Sequence, residues 1–436
     1  MTGSAEGDVN TSPARARWIE GLDAGTRALL AEDAEYFLHQ ALSTPCLDVI
    51  ERAEGAELID VAGRRILDFH GNSVHQLGHG HPAIVAAIRE EMERLPFSPR
   101  RYTNRTAIAL ARKLAEIAPG DLRKVLFAPS GAAAIGMALK LARMATGRHK
   151  TLSMWDSFHG ANLDVISVGG EGIFRRGIGP LLPGAEHVPP LDQAERFFGN
   201  DGKAFDRLAD YIDYVLALEG DVAAVIAEPM RWTTVMAPPE GFWAKVRASC
   251  DRHGALLVFD EIPSCLGRTG TMFACEQVGA TPDILVLGKG LGGGIMPMAA
   301  IVARGDLDVA KDGALGHYTH EKSPVGAAAA LATIDVIEKD SLVARARELG
   351  AYGLDALRAS AAKDSRMTAV RGLGLYFGAV VADAALADAL LYACLERGLS
   401  FKVGGGNVVT LCPPLTISRE QLDRAFAIFG DALRAV

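Results

Sequence analysis

Residues 256–304 read LLVFDEIPSCLGRTGTMFACEQVGATPDILVLGKGLGGGIMPMAAIVAR. Two short apolar runs inside this stretch decide the fold. The first, 256–259, ends in Asp260 and Glu261, and the second, 284–287, ends in Gly288, Lys289 and Gly290. Short runs of branched apolar residues bounded by glycine, proline and acids read as buried strands of a parallel sheet. Each run then delivers a charged side chain at its C-terminal end, where open α/β sheets place their ligand sites.

An acid and a lysine at the mouths of two strands suit pyridoxal 5'-phosphate. The aldehyde of that cofactor forms a Schiff base with a lysine amine, and its ring nitrogen needs a carboxylate to stay protonated. On this reading Lys289 carries the Schiff base and Asp260 pairs with the ring nitrogen. Taken alone, Asp260 reads as a helix cap and Lys289 as a surface residue. The apolar runs before both, with glycines around Lys289, favour the cofactor.

Upstream, the pattern repeats. Residues 223–227 form a strand that ends in Glu228 and Pro229, and 242–253 read as a helix. A strand at 151–154 leads to Trp155, Phe158, His159 and Gly160; an aromatic ring there can stack on a pyridine ring or pack in the core. The strand at 125–129 runs into Ser130, Gly131 and Ala132 and then a helix to Thr146, which makes an anion site of the helix N-terminus. Before it lie a helix at 82–95 and a loop, LPFSPRRYTNR, whose Arg100, Arg101 and Arg105 read as a solvated basic patch or as an anion site. Residues 57–69 read as a hairpin about 62–64, residues 22–42 as a helix, and the polar first 18 residues as a loose tail without an apolar signal core. Downstream, helices are expected at 325–337, 342–357, 384–397 and 419–436, and strands at 372–381 and 408–411. That mix points to a small α+β domain.

The bulk properties set limits. With 436 residues and 22% charged side chains, the chain has the size and balance of an enzyme of two or three domains. A formal net charge of -8 argues against nucleic acid as a partner. No apolar run is long enough for a membrane span. The six cysteines show no CxxC pair, as expected of reduced thiols in the cytoplasm. His70, His75, His79 and His81 crowd into one segment without a zinc spacing, so no metal is expected.

The motifs LIDVAGRRILDFHG, GHGHP, SGAAAIGMALKLAR, FHG, AEP, VFDEIPSCLGRTG, LGKGLGGG, THEKSP, RGLGL and PPLTIS resemble, in order and spacing, those of the class III aminotransferases, pyridoxal-phosphate enzymes of fold type I. The resemblance implies a large domain with a mostly parallel seven-stranded sheet flanked by helices, over 76–335. A smaller α+β domain would be built from the N-terminal segment 1–75 and from 336–436. It also implies roles: Lys289 as Schiff-base lysine and proton shuttle, Asp260 on the ring nitrogen, Ile262 under the ring and Phe158 over it. Gly131 and Ala132 would hold the phosphate through N–H groups, with His159 and Glu228 in the cofactor set. Thr319 would reach the cofactor phosphate of a neighbouring subunit, which makes the enzyme a homodimer with its active site at the interface.

Two departures stand out. Many family members that use a keto-acid acceptor carry an arginine shortly before the PPL motif, and here NVVTLCPPL puts Thr410 there. Threonine cannot grip a carboxylate as a guanidinium does. The phosphate turn, usually Ser-Gly-Ser/Thr-Glu-Ala, is Ser130-Gly131-Ala132-Ala133-Ala134. FHGNSVHQ, LPFSPRRYTN, WDSFHG and GHYTHEKSP resemble a subgroup of ammonia-lyases of phosphonate breakdown. That resemblance implies conversion of (R)-2-amino-1-hydroxyethylphosphonate to phosphonoacetaldehyde and ammonia; the rivals are an ω-aminotransferase using pyruvate or a similar acceptor and, second, an aminomutase or racemase. Candidates for the phosphonate are Arg100, Arg101, Arg231 and Lys402, and candidates for protonating the leaving group are Lys289, Tyr102 and His320.

Overall fold

The structure is a computed structural model and describes residues 12–41, 43–44 and 46–436. It divides into two compact units, one of residues 82–232 and 236–344, the other of the described residues up to 81, with 233–235 and 345–436. The borders read from sequence, at 75/76 and 335/336, lie a few residues away, and the second falls inside the continuous helix Pro324–Lys339.

The first unit is organised by seven strands: β1 (Leu122–Ala128), β2 (Lys150–Met154), β3 (Ala185–Val188), β4 (Val222–Ala227), β5 (Leu256–Asp260), β6 (Ile284–Leu287) and β7 (Ala299–Arg304). Their order in the sheet is β1-β7-β6-β5-β4-β2-β3. Every neighbouring pair is parallel except those made by β7, which runs antiparallel to both β6 and β1. β4, β5 and β6 are buried at every position, so their runs carry no polar alternation. Helix Gly131–Thr146 seals one face, packing Ala134, Met137 and Ala138 against Ile226, Val258, Val286 and Ile301. Alanines on that helix let it sit close to the sheet.

The second unit holds two four-stranded sheets. Strands Ile50–Glu54, Glu57–Asp60 and Arg65–Asp68 form a meander that Leu399–Ser400 joins in parallel. The other sheet is antiparallel and contains Met367–Leu373, Tyr376–Val381, Val408–Leu411 and Lys402–Gly404.

Several expectations need correction. The strand expected at 372–381 is the junction of a hairpin. Gly374, at φ +55°, makes its turn, and the turn's carbonyl lies so close to Gly350 of helix Leu342–Ala361 that a Cβ there would meet it at 2.2 Å. The helix expected at 22–42 is Ala24–Tyr36, capped by the Asp23 carboxylate and ended where Phe37 turns extended; Leu42 lies outside the described residues. Of the expected tail, residues 1–11 lie outside the description. From Pro13 the chain is helical to Gly21, because Ser12 caps it and Trp18 is buried with its Nε1 donating to Leu47 O at 2.9 Å. Helices Arg105–Ile117 and Ala204–Glu219 and the antiparallel β7 were not anticipated.

Candidate active site

The C-terminal edges of β4, β5 and β6 lie side by side. Ala227 pairs with Phe259, and Asp260 with Val286, so Glu228, Asp260 and Lys289 emerge from three adjacent strands at one edge. Asp260 is 2% exposed. Its Oδ2 accepts from His159 Nδ1 at 2.8 Å and its Oδ1 from the Ile262 N–H at 3.1 Å. A carboxylate has about four acceptor positions, and among the described residues two are filled. His159 is buried too, and its Nε2 has no hydrogen-bond partner among the described residues.

Lys289 follows Gly288 with a left-handed backbone, φ +44°, inside a short 3₁₀ turn, and its side chain is half-buried. A non-glycine residue in that region costs about a kcal/mol or more and recurs where function fixes the backbone. The floor beside it is kept thin. A Cβ on Gly131 would stand 2.8 Å from Ile262 Cδ1, one on Gly288 3.1 Å from Ile262 Cγ2, and one on Gly160 2.5 Å from the Ala132 Cβ. Gly131 and Ala132 open the helix that Ser130 caps, its Oγ accepting from Ala133 N at 3.2 Å. The first N–H groups of a helix have no intrahelical acceptor, and the helix dipole adds positive potential.

The structure therefore gathers Gly131, Ala132, His159, Asp260, Ile262 and Lys289 around one sheet edge. Phe158 is half-buried and packs on Phe174, ring centroids 4.5 Å apart. Glu228 and Arg231 are both buried and face each other, Nη1 to Oε2 at 2.9 Å. Burial works against the Arg231 charge, but the carboxylates of Glu228, Glu171 and Asp192 hold its pKa above the ordinary value. Thr319, Arg100, Arg101 and Tyr102 are exposed, and Lys402 is half-buried in the other unit. There Thr410 is buried, and its hydroxyl donates to Lys402 O at 3.0 Å.

The sequence reading passes over Glu261. It is fully buried and accepts from the N–H groups of Ala274 at 2.6 Å and Cys275 at 2.7 Å, which straps the 261–277 loop onto the strand end. Burial pushes its carboxyl up to about 7. Only its place beside Asp260 marks it in sequence. The glycines at 160 and 288 were legible as small residues but not as a floor, because their neighbours come from distant segments.

Pyridoxal phosphate can be tested against this arrangement. A buried carboxylate with acceptor capacity left, a lysine one strand away, glycines at positions a Cβ would fill and a free helix N-terminus are what its ring nitrogen, aldehyde, ring face and phosphate require. The residues fit the group.

Comparison with known proteins agrees. The family profile described as "Aminotransferase class-III" matches residues 39–433. The chain is 46% identical, over 99% of its length and 95% of the relative's, to a protein of Vibrio splendidus named (R)-1-hydroxy-2-aminoethylphosphonate ammonia-lyase. It is 38% identical to the acetylornithine aminotransferase of Methanopyrus kandleri, over 88% of this chain and 93% of that one. Among solved structures, the omega transaminase from Pseudomonas jessenii in complex with PMP superposes with a TM-score of 0.88 at 28% identity, over 93% of this chain and 98% of that one. Strand order, site and similarity across nearly the whole sequence agree, and the chain belongs to the class III aminotransferase family.

Proposed function

We propose that this chain is a pyridoxal-phosphate-dependent ammonia-lyase that converts (R)-2-amino-1-hydroxyethylphosphonate to phosphonoacetaldehyde and ammonia. The observation that carries the reading is the 46% identity, across 99% of the chain, to a relative named for that reaction. Thr410 supports it. Its hydroxyl is committed to the Lys402 carbonyl, and no guanidinium stands there to grip a keto acid.

The cofactor, when bound, would supply an electron sink for the pair left by proton removal. The chain does the rest. Asp260, held by His159 and the Ile262 N–H, would keep the ring nitrogen protonated. Ile262 and Phe158 would hold the ring, and the N–H groups of Gly131 and Ala132 would hold the phosphate. Lys289 would take the proton from the carbon that bears nitrogen. A group of the site protonates the departing hydroxyl on the neighbouring carbon. The released enamine hydrolyses to aldehyde and ammonia, so no keto acid is consumed. We assign the working form as a cytoplasmic homodimer in which Thr319 reaches the neighbouring subunit's cofactor phosphate. Likeness to the Pseudomonas jessenii transaminase makes an ω-aminotransferase the second reading.

An ammonia assay with (R)-2-amino-1-hydroxyethylphosphonate and no keto acid separates the two. Release far beyond one equivalent per site is expected, and Lys289→Ala should abolish it along with the Schiff-base absorbance. Turnover that begins only when pyruvate and an amine donor are added would sink the lyase reading.

A further inference from the structure

The second unit holds a cavity of about 420 Å³. Its apolar wall is Ile66 of strand Arg65–Asp68, Leu391 and Leu395, one turn apart on helix Ala384–Glu396, and Phe401 and Val403, on either side of Lys402. All five are buried. Three bases also line it: Arg15 of helix Pro13–Gly21, His70 and Lys402. Arg15 is only 4% exposed. Asp48 is the one acid among the described lining residues, and Arg64 answers it at 2.7 Å. Ser43, Ile50 and Asn72 are exposed and mark the mouth.

Protein interiors keep few voids larger than a water molecule. This one falls in the size range of small-molecule sites, roughly 300–1,000 Å³. Its apolar wall suits a hydrocarbon body, and its bases suit a negative charge. Packing alone would explain an arginine stem laid on an apolar wall. It does not explain a wall with no side chains to fill the space in front of it.

We propose that this cavity binds a small organic anion, with a carboxylate or phosphonate headgroup beside Lys402 and Arg15 and a short hydrocarbon chain on the Leu391–Leu395 wall. Neither the cofactor nor the lyase reaction is needed for it.

Cys46 reports on the cavity from inside. It lines the same space, the other five cysteines are buried, and the Arg15 charge is felt at its thiol. Burial and the Asp33 carboxylate hold that thiol above its ordinary pKa, so its alkylation by iodoacetamide is followed at alkaline pH. On the holoenzyme, hexylphosphonate should slow this alkylation. Methylphosphonate, which lacks the chain, should need about 100-fold more for the same protection. The uncharged 1-hexanol should need about 10- to 100-fold more. Lys402→Gln should weaken protection by hexylphosphonate about 10-fold, and Lys402→Arg should preserve it. The comparison of probes on the unaltered chain stands whatever the variants do to stability. Protection by hexanoate as well assigns the site to organic acids at large, whereas protection by hexylphosphonate alone assigns it to phosphonates. An alkylation rate that hexylphosphonate leaves unchanged overturns the proposal. So does protection that is as strong from 1-hexanol, or as strong in Lys402→Gln. If (R)-2-amino-1-hydroxyethylphosphonate guards Cys46 better than hexylphosphonate does, the cavity is a subsite for that polar compound and the hydrocarbon-bodied ligand falls.

Discussion

Each unit buries an aspartate against a histidine, and the two pairs are built differently. In the sheet unit, Asp260 meets His159 at 2.8 Å and has one further donor, the Ile262 N–H. In the other unit, Asp68 meets His79 at the same 2.8 Å, but its second oxygen also accepts from the N–H groups of His70 and Gly71, and its own carbonyl faces His75 Nε2 at 3.0 Å. Burial opposes the Asp68 charge, yet His79, His75 and His70 hold its carboxyl far below the usual carboxylate range. Asp68 is filled by its own chain and fixes a loop in which Asn72 and Ser73 both take left-handed backbones. Asp260 is left with capacity to spare. The same residue pair is saturated by its own chain in one place and left with acceptor capacity in the other, and the number of donors already committed tells them apart.

The largest effect should come from Asp260→Asn, which keeps shape but removes the charge that would hold a protonated ring nitrogen. We expect kcat to fall by about 10²- to 10³-fold with the thermal midpoint little changed. Asp68→Asn should do the reverse. Breaking a buried, multiply bonded carboxylate costs roughly 3–5 kcal/mol, so chemical denaturation should show a large loss while activity per folded molecule persists. If Asp68→Asn lowered kcat as deeply as Asp260→Asn with stability intact, the contrast would be wrong.

The smallest effect concerns Glu261, a third buried acid of opposite character. Its folded pKa of about 7 lies above the ordinary 4.5. Its contribution to stability is therefore complete below about pH 4.5 and is lost as pH rises through about 7. Glu261→Gln should flatten the stability profile across that window. A profile that keeps its slope in the variant would assign the titration to another group.

The strand ends were legible because β4, β5 and β6 are buried on both faces and read as unbroken apolar runs. Asp260 and Lys289 followed from where those runs stop. β7 was not legible as a separate antiparallel strand, since half of it is alanine and its direction depends on the path of the preceding loop. Helix Arg105–Ile117 hid behind an arginine-rich start. Contacts that no periodicity announces were out of reach: Thr410 on the Lys402 carbonyl, 8 positions away, Asp68 on His79, 11 away, and Arg100 on His317, 217 away. In each, the residue types are ordinary, and only the fold brings them together.

β7 has one more consequence, and it concerns time. It is the only strand between β1 and the rest of the sheet, so β1 waits for a partner roughly 170 residues downstream, which at about 5–20 residues per second leaves it exposed for some ten to thirty seconds of synthesis. During that interval the nascent chain carries an unpaired, half-apolar edge and the helix that should cover it. The last strand added to the sheet acts as a latch, and a ribosome stalled before it should leave a chain that depends on holdase chaperones.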